Sequence, residues 1–497
     1  MSYIVRHQSE MSEAFSALMG ILAGDTSSPI LWLIYLSDFI LDADVDDINL
    51  SGIPMSNMEQ ADDIILMSTT PEGLQRKMHA LWRWCGVNAM VVNAIKSMVM
   101  IFGPHPRLQP SFAFGTEHVA IVDETTYVGF RITSHGRSIF APHYALKAGK
   151  AQTIANGILG LHKMIGSLNP WEARKLYMAL VDPHLTHGCE MIIDTPENLQ
   201  FLKLLEDKQK SFIRRILGIH SRSMLAPLFS ETAIIPLRYR RVLLALMYLL
   251  YLLKSPPDHL VKSALLDSTA LLMAGKPCWL GDLLHALQKL PTPVYVHNPH
   301  SLTTEDIGEV MNKVQRSMQD DIMRAINSSE GLYLLRNRLE PPENVGEPPQ
   351  IVAIKFRHYL SVPSLKHRVA LTKLLTASHE LAVERLKWAR TPTGERVDLP
   401  RDRRLCRFCH LHAESPEHAL LECKGNLDLV QLRHIFWQKM RLELPQLPLE
   451  TSGLASLVDG LKWIIANRPT IRLVAKFAYQ VLSLYSLAPI YIPPLEV

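Results

Sequence analysis

The sequence predicts an α+β protein in which short strands lie near the N-terminus and the remainder is mainly helical. Up to about residue 145, strand-like alternation and helix-like periodicity follow one another at short intervals. From Tyr144 onward the apolar spacing is helical, and a cluster of cysteine and histidine near residue 410 predicts a small metal-binding module. The 497 residues are enough for roughly two to four domains.

Composition is that of an ordinary globular protein, with 47% hydrophobic and 20% charged residues. The net charge of +4 is only mildly basic, so a nucleic-acid surface would have to come from local clustering. The longest apolar stretch, Val242 to Leu253, is shorter than the ~20 residues that a bilayer requires. Because the N-terminus also lacks a secretion signal, we predict an intracellular protein without membrane contact. Cys85, Cys189 and Cys278 are isolated and read as buried thiols.

Several local signals place elements in the N-terminal part. Thr70 followed by Pro71 is typical of a helix start, with an N-cap and proline at the first helical position. Other segments are assigned from their periodicity: strands over Ser2 to His7 and Ser97 to Phe102, a helix over Pro29 to Leu41, and a strand that begins at Tyr127.

The C-terminal part carries longer helices. Asn169 and Pro170 again form a helix start, and Leu199 to Ile219 is an amphipathic helix. Four prolines between Glu340 and Pro349 predict a linker, and a helical tail is expected from about Leu427 to Leu487. These signals suggest a division into residues 1–145, 146–255, 256–345, 346–430 and 431–497.

Asp62 and Asp63 stand directly before the apolar run Ile64 to Met67, which predicts a buried strand with two carboxylates at its edge. Such a pair is costly at the edge of a core unless a metal ion or another partner is present. Two-metal phosphoryl transfer uses carboxylates in this way. Since neighbouring strand residues point to opposite faces, a third carboxylate from another strand is required. Taken alone, the pair is weak evidence for a metal site and is more typical of a solvated turn.

The flanking sequence favours the metal site. Upstream lies the run Gly20-Ile-Leu-Ala-Gly-Asp-Thr-Ser-Ser-Pro29, and downstream lie Asn93 to Ser97, Phe102-Gly103 and Tyr127-Val-Gly129. In this order the motifs resemble the palm of reverse transcriptases from non-long-terminal-repeat retrotransposons, fungal elements most closely. The resemblance covers roughly residues 10 to 255. It implies an RNA template, a DNA primer, deoxynucleotide substrates and Mg²⁺.

The resemblance also implies roles for single residues. Asp62 and Asp63 would bind Mg²⁺, and Lys96 would be the lysine of a later strand. The remaining positions would contact template, nucleotide or primer: Gly24, Asp25, Ser28 and Pro29 in the glycine-rich loop, and Tyr127 and Gly129 in the primer-side turn.

The sequence departs from the family in ways that bear on activity. Ala23 replaces a glutamine of the loop, and Gln60 replaces the aromatic residue before Ala61. The first catalytic aspartate should lie upstream of Gly20, where the chain has no aspartate, and the fingers are missing as well. We therefore expect a truncated homologue that does not polymerise DNA alone. Five acidic residues follow the predicted first helix: Asp38, Asp42, Asp44, Asp46 and Asp47. We expect them to form a solvated loop rather than to replace the missing catalytic aspartate.

After the palm, the helix over Leu199 to Ile219, together with Arg238 to Arg241, is a candidate thumb. Lys210, Arg214 and Arg215 would contact the phosphates of a template–primer duplex in a salt-sensitive, sequence-independent way. The alternative is a charged solvated face, in which Glu206 and Asp207 offset the basic residues.

The series Cys406-x-x-Cys409, His418 and Cys423 has metal-ligand spacing, with eight residues before the histidine and four after it. Two cysteines two residues apart form a knuckle, and four ligands would give a closed structural Zn²⁺ site. His410 and His412 are too close to Cys409 for an ordinary shell, and the alternative is a chance cluster of thiols. The series also resembles the C-terminal cysteine–histidine motif of the same polymerases.

Basic residues surround this motif, including Arg403, Arg404 and Arg407, with Trp388 and Phe408 as candidates for base stacking. They favour a nucleic-acid surface. A second function is therefore open: a non-catalytic RNA- or DNA-binding protein that uses the thumb and the zinc module. A nuclear location follows from the resemblance alone.

Overall fold

The computed structural model describes residues 2–4, 6–7, 10–16, 25–104, 108–136, 138–166, 168–340, 348–388, 399–444 and 456–492. It confirms a mixed α+β fold with small sheets. The chain forms two compact units. The first comprises Met1–Phe140 and Ser255–Ala274, and the second comprises Ala141–Lys254 and Gly275–Val497. The finer five-part division suggested by the sequence remains a prediction.

The α-helices are α1 (Ser28–Leu36), α2 (Pro71–Val87), α3 (Ala141–Gly160), α4 (His162–Ile165), α5 (Pro170–Leu176), α6 (Asp182–Thr186), α7 (Leu199–Leu217), α8 (Ala226–Thr232), α9 (Leu237–Lys254), α10 (Leu260–Met273), α11 (Trp279–Gln288), α12 (Thr304–Ser328), α13 (Leu365–Leu375), α14 (Ala382–Arg385), α15 (Leu427–Glu443), α16 (Leu457–Ala466) and α17 (Ile471–Leu487). Among the described helices, none is both long and apolar enough to cross a membrane.

The strands are β1 (Ser2–Tyr3), β2 (Arg6–His7), β3 (Glu10–Met11), β4 (Phe15–Ser16), β5 (Ile48–Leu50), β6 (Ile53–Met55), β7 (Asn57–Gln60), β8 (Asp63–Leu66), β9 (Met98–Val99), β10 (Phe112–Phe114), β11 (Glu117–Ile121), β12 (Glu124–Tyr127), β13 (Phe130–Thr133), β14 (Leu339–Glu340) and β15 (Gln350–Ile351). They form hairpins and other antiparallel pairs, and a three-stranded sheet of order β10-β11-β9.

In the first unit, α2 packs on the three-stranded sheet. Met78 and Leu81 of the helix are buried against Phe112 and Phe114 of β10. The predicted N-cap is confirmed, since the Thr70 hydroxyl accepts a hydrogen bond from the Gly73 N–H at 3.1 Å. This small core is where the β7–β8 hairpin attaches.

Four N-terminal assignments need correction. The strand expected to begin at Tyr127 instead ends there, and the next strand begins at Phe130. The predicted strand over Ser2 to His7 is two strands of two residues each, and the strand over Ser97 to Phe102 is confined to Met98–Val99. The first helix ends at Leu36 rather than Leu41, and Phe39 beyond it is buried in the core of this unit.

The second unit is mainly helical, and a buried polar contact fixes the crossing of its central helices. The Gln209 side chain on α7 donates to the Tyr177 hydroxyl at 2.9 Å and accepts from the Leu237 N–H at 2.9 Å. The helix start at Asn169 is confirmed by its hydrogen bond from the Trp171 N–H, also at 2.9 Å. Buried polar groups that are mutually satisfied in this way specify one packing arrangement.

The predicted linker starts too early. Glu340 is buried and belongs to β14, which pairs with β15, and its carboxylate pairs with Arg357 at 2.5 Å. Residues 341–347 lie outside the described residues. A buried ion pair holds both partners in place, because removing either one leaves an uncompensated charge.

Candidate functional site

The four side chains of the cysteine–histidine series come together in the second unit. Their ligand atoms all lie within 4.8 Å of one another. The Cys406 and Cys423 sulfurs are 3.7 Å apart, and the Cys409 sulfur lies 3.3 Å from His418 Nε2. Zn–S bonds of about 2.3 Å in a tetrahedron would separate two sulfurs by about 3.8 Å. The cluster could therefore hold a metal ion such as zinc.

The first two ligands lie on a tight backbone turn. The Cys406 N–H donates to the His412 carbonyl at 2.8 Å, and the His410 N–H donates to the Cys406 carbonyl at 2.9 Å. His410 has φ of 56°, in the left-handed region. It stacks on Tyr491, and His418 is the histidine that lies with the three cysteines in the cluster.

A π-helical turn over His418–Glu422 presents the other two ligands. Residues five apart on an ideal α-helix are turned by ~140°, so an ideal helix would not direct both side chains to one ion. Cys423 does leave the helical conformation. In addition, the Cys423 N–H donates to the His418 carbonyl at 2.9 Å, the i→i+5 bond of a π-turn. This wider turn brings both side chains to nearly the same side.

Gly425 is required for a reason that the sequence did not reveal. A glycine just after a helical turn commonly terminates the helix, but a Cβ at this position would lie 2.5 Å from the carbonyl carbon and oxygen of Phe408. It would also lie 2.6 Å from the Cys409 nitrogen. The absence of a side chain therefore allows the backbone after Cys423 to contact the knuckle directly.

Hydrogen bonds around the ligands act differently on the two buried cysteines and orient the imidazole. The hydrogen bond between Cys406 and Cys423 lowers the pKa of Cys423 to about 7 and, together with burial, raises the pKa of Cys406 to about 11. The Glu422 carboxylate accepts from His418 Nδ1 at 2.8 Å, which is a typical outer contact of a metal-bound histidine. Burial lowers the pKa of His418, but hydrogen bonds to Cys406 and Glu422 outweigh it and raise the pKa to about 9.

The basic residues near the cluster have internal partners. Arg404 and Arg407 are buried, so the structure gives them a structural role instead of the predicted nucleic-acid contact. Arg404 donates to the Leu399 and Val383 carbonyls at 2.9 and 2.7 Å. Of the three arginines in that prediction, Arg403 alone is exposed.

The aromatic candidates for base stacking give less support than the sequence suggested. Phe408 packs against Tyr485, with 4.7 Å between ring centroids, so it is committed to an internal contact. The Trp388 side chain lies outside the described residues.

The predicted thumb residues on α7 are also engaged within the protein. Lys210 pairs with Glu206 at 2.8 Å. The Arg214 guanidinium donates to the Ser223 hydroxyl and carbonyl at 3.2 and 3.1 Å. Arg215 is exposed and donates to Asn156 at 3.0 Å. A phosphate could contact Lys210 or Arg214 only if these internal bonds were broken. Arg215 is therefore the most accessible cation of the three.

Asp62 and Asp63 lie at the tip of the β7–β8 hairpin. Gln60 pairs with Asp63 across a two-residue turn, and Ala61 takes the left-handed conformation with φ of 56°. The expectation of a buried strand edge is wrong, since both aspartates are exposed. The hydrophobic pattern following them serves to fix the hairpin, because Ile64 packs on the core of the first unit.

The second predicted turn lies near this tip. Tyr127 and Phe130 pair across Val128 and Gly129, whose φ values of 46° and 80° define a tight hairpin turn. Burial, followed by the charge of Asp63, raises the pKa of Tyr127. Asp63 and Tyr127, 64 positions apart in the chain (63 and 127), are thus near enough to interact electrostatically.

The acidic loop after α1 lies at the opposite end of the β7–β8 hairpin. Asp47 is not solvated as expected: it pairs with Lys77 at 2.5 Å, and both side chains are buried. It also accepts from Ser56, the residue before β7, at 2.6 Å. Four strand residues span about 13 Å, so Asp47 is remote from Asp62.

The other residues implied by the resemblance are placed as follows. Lys96 is exposed in a turn before β9. Ser28 and Pro29 are the first two residues of α1, and Asp25 precedes it and accepts a hydrogen bond from Ser27. Gly24 lies outside the described residues.

Within the described part of the chain, the cysteine cluster is the one group of three or more His, Cys, Asp or Glu side chains close enough to hold a metal ion. Asp62 and Asp63 have no third such partner there. Comparison with protein-family models and with curated proteins gives no match for this chain. Function must therefore be argued from the two sites themselves.

Sequence reasoning missed two contacts of the metal cluster. Glu422 could have been found, because it lies four residues after His418 and helical side chains at that spacing are neighbours. Tyr485, whose hydroxyl lies 3.4 Å from the Cys406 sulfur, is 79 residues away and carries no local signal.

Proposed function

We propose that this chain is a homologue of the reverse transcriptases of non-long-terminal-repeat retrotransposons. In this proposal the first unit contains part of the polymerase palm and the second contains a structural zinc module. The exposed aspartate turn carries the proposal: Asp62 and Asp63 lie at a hairpin tip with Tyr127 close enough for its pKa to respond to Asp63. A palm uses such a turn to present carboxylates to the primer end.

The donor set supports zinc as the metal of the second site. Three sulfurs and one imidazole nitrogen are soft ligands, and a shell of four protein ligands is closed to substrate. When bound, zinc would hold together two segments of chain and supply no chemistry. Cys406, Cys409, His418 and Cys423 would bind it directly, with Glu422 orienting the imidazole.

We expect this chain to bind an RNA–DNA hybrid and, by itself, not to extend a primer. Two carboxylates on neighbouring residues do not complete a two-metal clamp, which needs a further ligand from another position. Mn²⁺ or Mg²⁺ bound by Asp62 and Asp63 would still attract nearby phosphates of the hybrid and so strengthen binding. The proposal thus separates metal-dependent binding from catalysis.

The test measures affinity for a fluorescent RNA–DNA hybrid by anisotropy, with and without Mn²⁺, at fixed ionic strength. Mn²⁺ should tighten binding several-fold in the unmodified chain and have no such effect in the double variant Asp62→Ala, Asp63→Ala. Asp42→Ala, which removes another exposed aspartate of the same unit, is the matched control and should keep the Mn²⁺ effect.

Each outcome has a distinct meaning. Absence of hybrid binding, or a Mn²⁺ effect that survives in the double variant, contradicts the proposal. Primer extension with deoxynucleotides that is lost in the double variant would support the family assignment and overturn the expectation that the chain is inactive alone.

A further inference from the structure

The end of α17 docks on the cysteine knuckle through three consecutive residues. The Cys406 sulfur lies 3.4 Å from the Tyr485 hydroxyl oxygen. Arg407 donates to the Tyr485 and Ala488 carbonyls at 2.5 and 2.8 Å. The Phe408 ring packs on the Tyr485 ring at 4.7 Å. The first ligand of the metal cluster and the residues after it therefore contact one end of a helix that begins 65 residues later (406 and 471).

Arg407 is fixed in this position by a buried partner. The Glu414 carboxylate accepts from Arg407 at 2.7 Å, is fully buried, and also accepts from the Arg407 and Ala382 N–H groups at 2.8 and 2.7 Å. A cation at the C-terminus of a helix is stabilised by the helix dipole and by the last unpaired carbonyls. Arg407 thus caps α17 from within the knuckle.

The Tyr485 side chain is 1% exposed, so its hydroxyl depends on a partner inside the protein. A metal-bound cysteine is a thiolate and can only accept a hydrogen bond. Tyr485 must then be the donor, and its O–H stabilises the negative sulfur of Cys406. This contact resembles the outer hydrogen bonds that orient metal ligands elsewhere.

We propose that Tyr485 is a positioning residue of the metal cluster, and that metal binding and docking of α17 are thermodynamically linked through it. The inference rests on the proposed zinc module and adds a partner to it from the C-terminal helix. Linkage is reciprocal: if docking of α17 raises the affinity for the metal, then metal binding must favour docking of α17 by the same factor.

The linkage extends beyond the knuckle because α17 is shared with other helices. Phe477, two turns before Tyr485, stacks on Phe436 of α15 with a centroid distance of 4.2 Å and an interplanar angle of 9°. Val481 between them is fully buried. Loss of the metal should therefore loosen α17 first at its C-terminal end, where the knuckle supplies the contacts.

The first measurement is zinc affinity by competition with a chromophoric chelator. Tyr485→Phe keeps the ring contact with Phe408 and removes only the hydroxyl, so zinc affinity should fall about tenfold or more, the usual effect of losing an outer hydrogen bond. Tyr479→Phe removes a hydroxyl from the same helix, where the ring instead packs near His367. It should leave the affinity unchanged.

The second measurement is hydrogen exchange of Ile471–Leu487 in the unmodified chain, with zinc bound and after chelation. Exchange should rise toward Leu487 on chelation. Unchanged exchange overturns the linkage, even where Tyr485→Phe fails to fold. Equal zinc affinity of Tyr485→Phe and the unmodified chain overturns the role of the hydroxyl.

The zinc proposal fails separately from this inference. An unmodified chain that binds no zinc contradicts both. Stoichiometric zinc that is lost in Cys406→Ser, together with normal affinity in Tyr485→Phe, sustains the zinc module and contradicts the inference alone.

Discussion

Gly425 shows how a single residue can be essential for a reason that its neighbours in the sequence do not reveal. Its place after a helix predicts a terminating glycine, yet its backbone does not need a left-handed conformation. What it needs is the absence of a Cβ, because the knuckle backbone at Phe408 and Cys409 occupies that space. Such a contact cannot be relieved by a rotamer change, since the clashing atoms belong to the backbone.

Gly425→Ala should therefore lower both zinc affinity and stability of the second unit. A Cβ 2.5 Å from backbone atoms forces the knuckle away from Cys423. Gly157→Ala is the control: a Cβ on that exposed helical glycine meets nothing within 4 Å, so the change should stabilise by about 0.5–1 kcal/mol. Thermal unfolding with zinc present measures both, and equal melting temperatures for the two variants would contradict the packing argument.

Arg407 is a second residue whose role depends on its partners. In sequence it is one of a run of arginines beside a cysteine motif, which favours a nucleic-acid surface. In the structure, its guanidinium is shared between Glu414 and carbonyls of the C-terminal helix. A cluster of basic residues in a sequence shows that several cations are near one another along the chain. It does not show whether their N–H donors are already bonded to acceptors inside the protein.

Arg407→Ala should destabilise the second unit by about 3 kcal/mol or more, because Glu414 would remain buried without its cation. Arg215→Ala, at an exposed position on α7, should change stability little and weaken binding to an RNA–DNA hybrid. Urea unfolding and hybrid anisotropy on both variants separate the two roles. A stable Arg407→Ala protein with weakened binding would restore the original surface prediction.

At the scale of elements, the hairpin β7–β8 is held at its base and exposed at its tip. Asp47, Ser56 and Lys77 form a buried polar group at the base, and Lys77 also donates to the Met67 carbonyl. The tip carries Asp62 and Asp63 in solvent. A rigid base and an exposed tip suit a turn that presents carboxylates to a ligand.

Asp47→Ala should destabilise the first unit by about 3 kcal/mol or more, since Lys77 is left buried and unpaired. Replacing both partners, as in Asp47→Leu with Lys77→Met, should give a more stable protein than Asp47→Ala. Hydrogen exchange of the α2 amides in increasing urea measures the free energy of unfolding of the first unit specifically. Equal stability of the single and double variants would contradict a buried ion pair.

The same ion pair predicts an acid dependence. Burial opposes ionisation of Asp47, but hydrogen bonds from Lys77 and Ser56 outweigh it and lower its pKa. A carboxyl with a folded pKa below its unfolded value of about 3.9 contributes stability above that pH. The contribution is lost as pH falls through the folded pKa. The protection factors of the α2 amides, which correct for the pH dependence of intrinsic exchange, should therefore fall below pH about 4 in the unmodified chain, and Asp47→Asn should show less of this fall.

At the scale of the whole molecule, the candidate sites lie in different compact units. The aspartate tip belongs to the first and the cysteine cluster to the second. Metal bound only by the folded state stabilises that state by mass action, about 4 kcal/mol at a thousand times its dissociation constant. This stabilisation should be confined to the unit that contains the ligands.

Calorimetry with zinc and after chelation tests this separation. Chelation should lower the unfolding temperature of the second unit by several degrees and leave the unfolding temperature of the first unit unchanged. Cys406→Ser should behave like the chelated protein whether or not zinc is added. A single transition that moves as a whole would contradict independent stabilisation of the two units.

The sequence predicted the elements whose signals are local. Thr70 and Asn169 were identified as N-caps because capping depends on residues within one helical turn. The four metal ligands were identified because their spacing is itself the signal. Burial of the aspartates was predicted wrongly, since an apolar run does not distinguish a core strand from one side of a hairpin.

By itself, then, the sequence determined the α+β composition, the helix starts and the identity of the Cys406, Cys409, His418 and Cys423 cluster. Tertiary structure alone decided which arginines are buried, why Gly425 cannot carry a side chain, and that Tyr485 reaches Cys406 from 79 residues away. The physical reason is range. Capping and ligand spacing act within a few residues, whereas burial and hydrogen-bond pairing depend on which distant segments fold against one another.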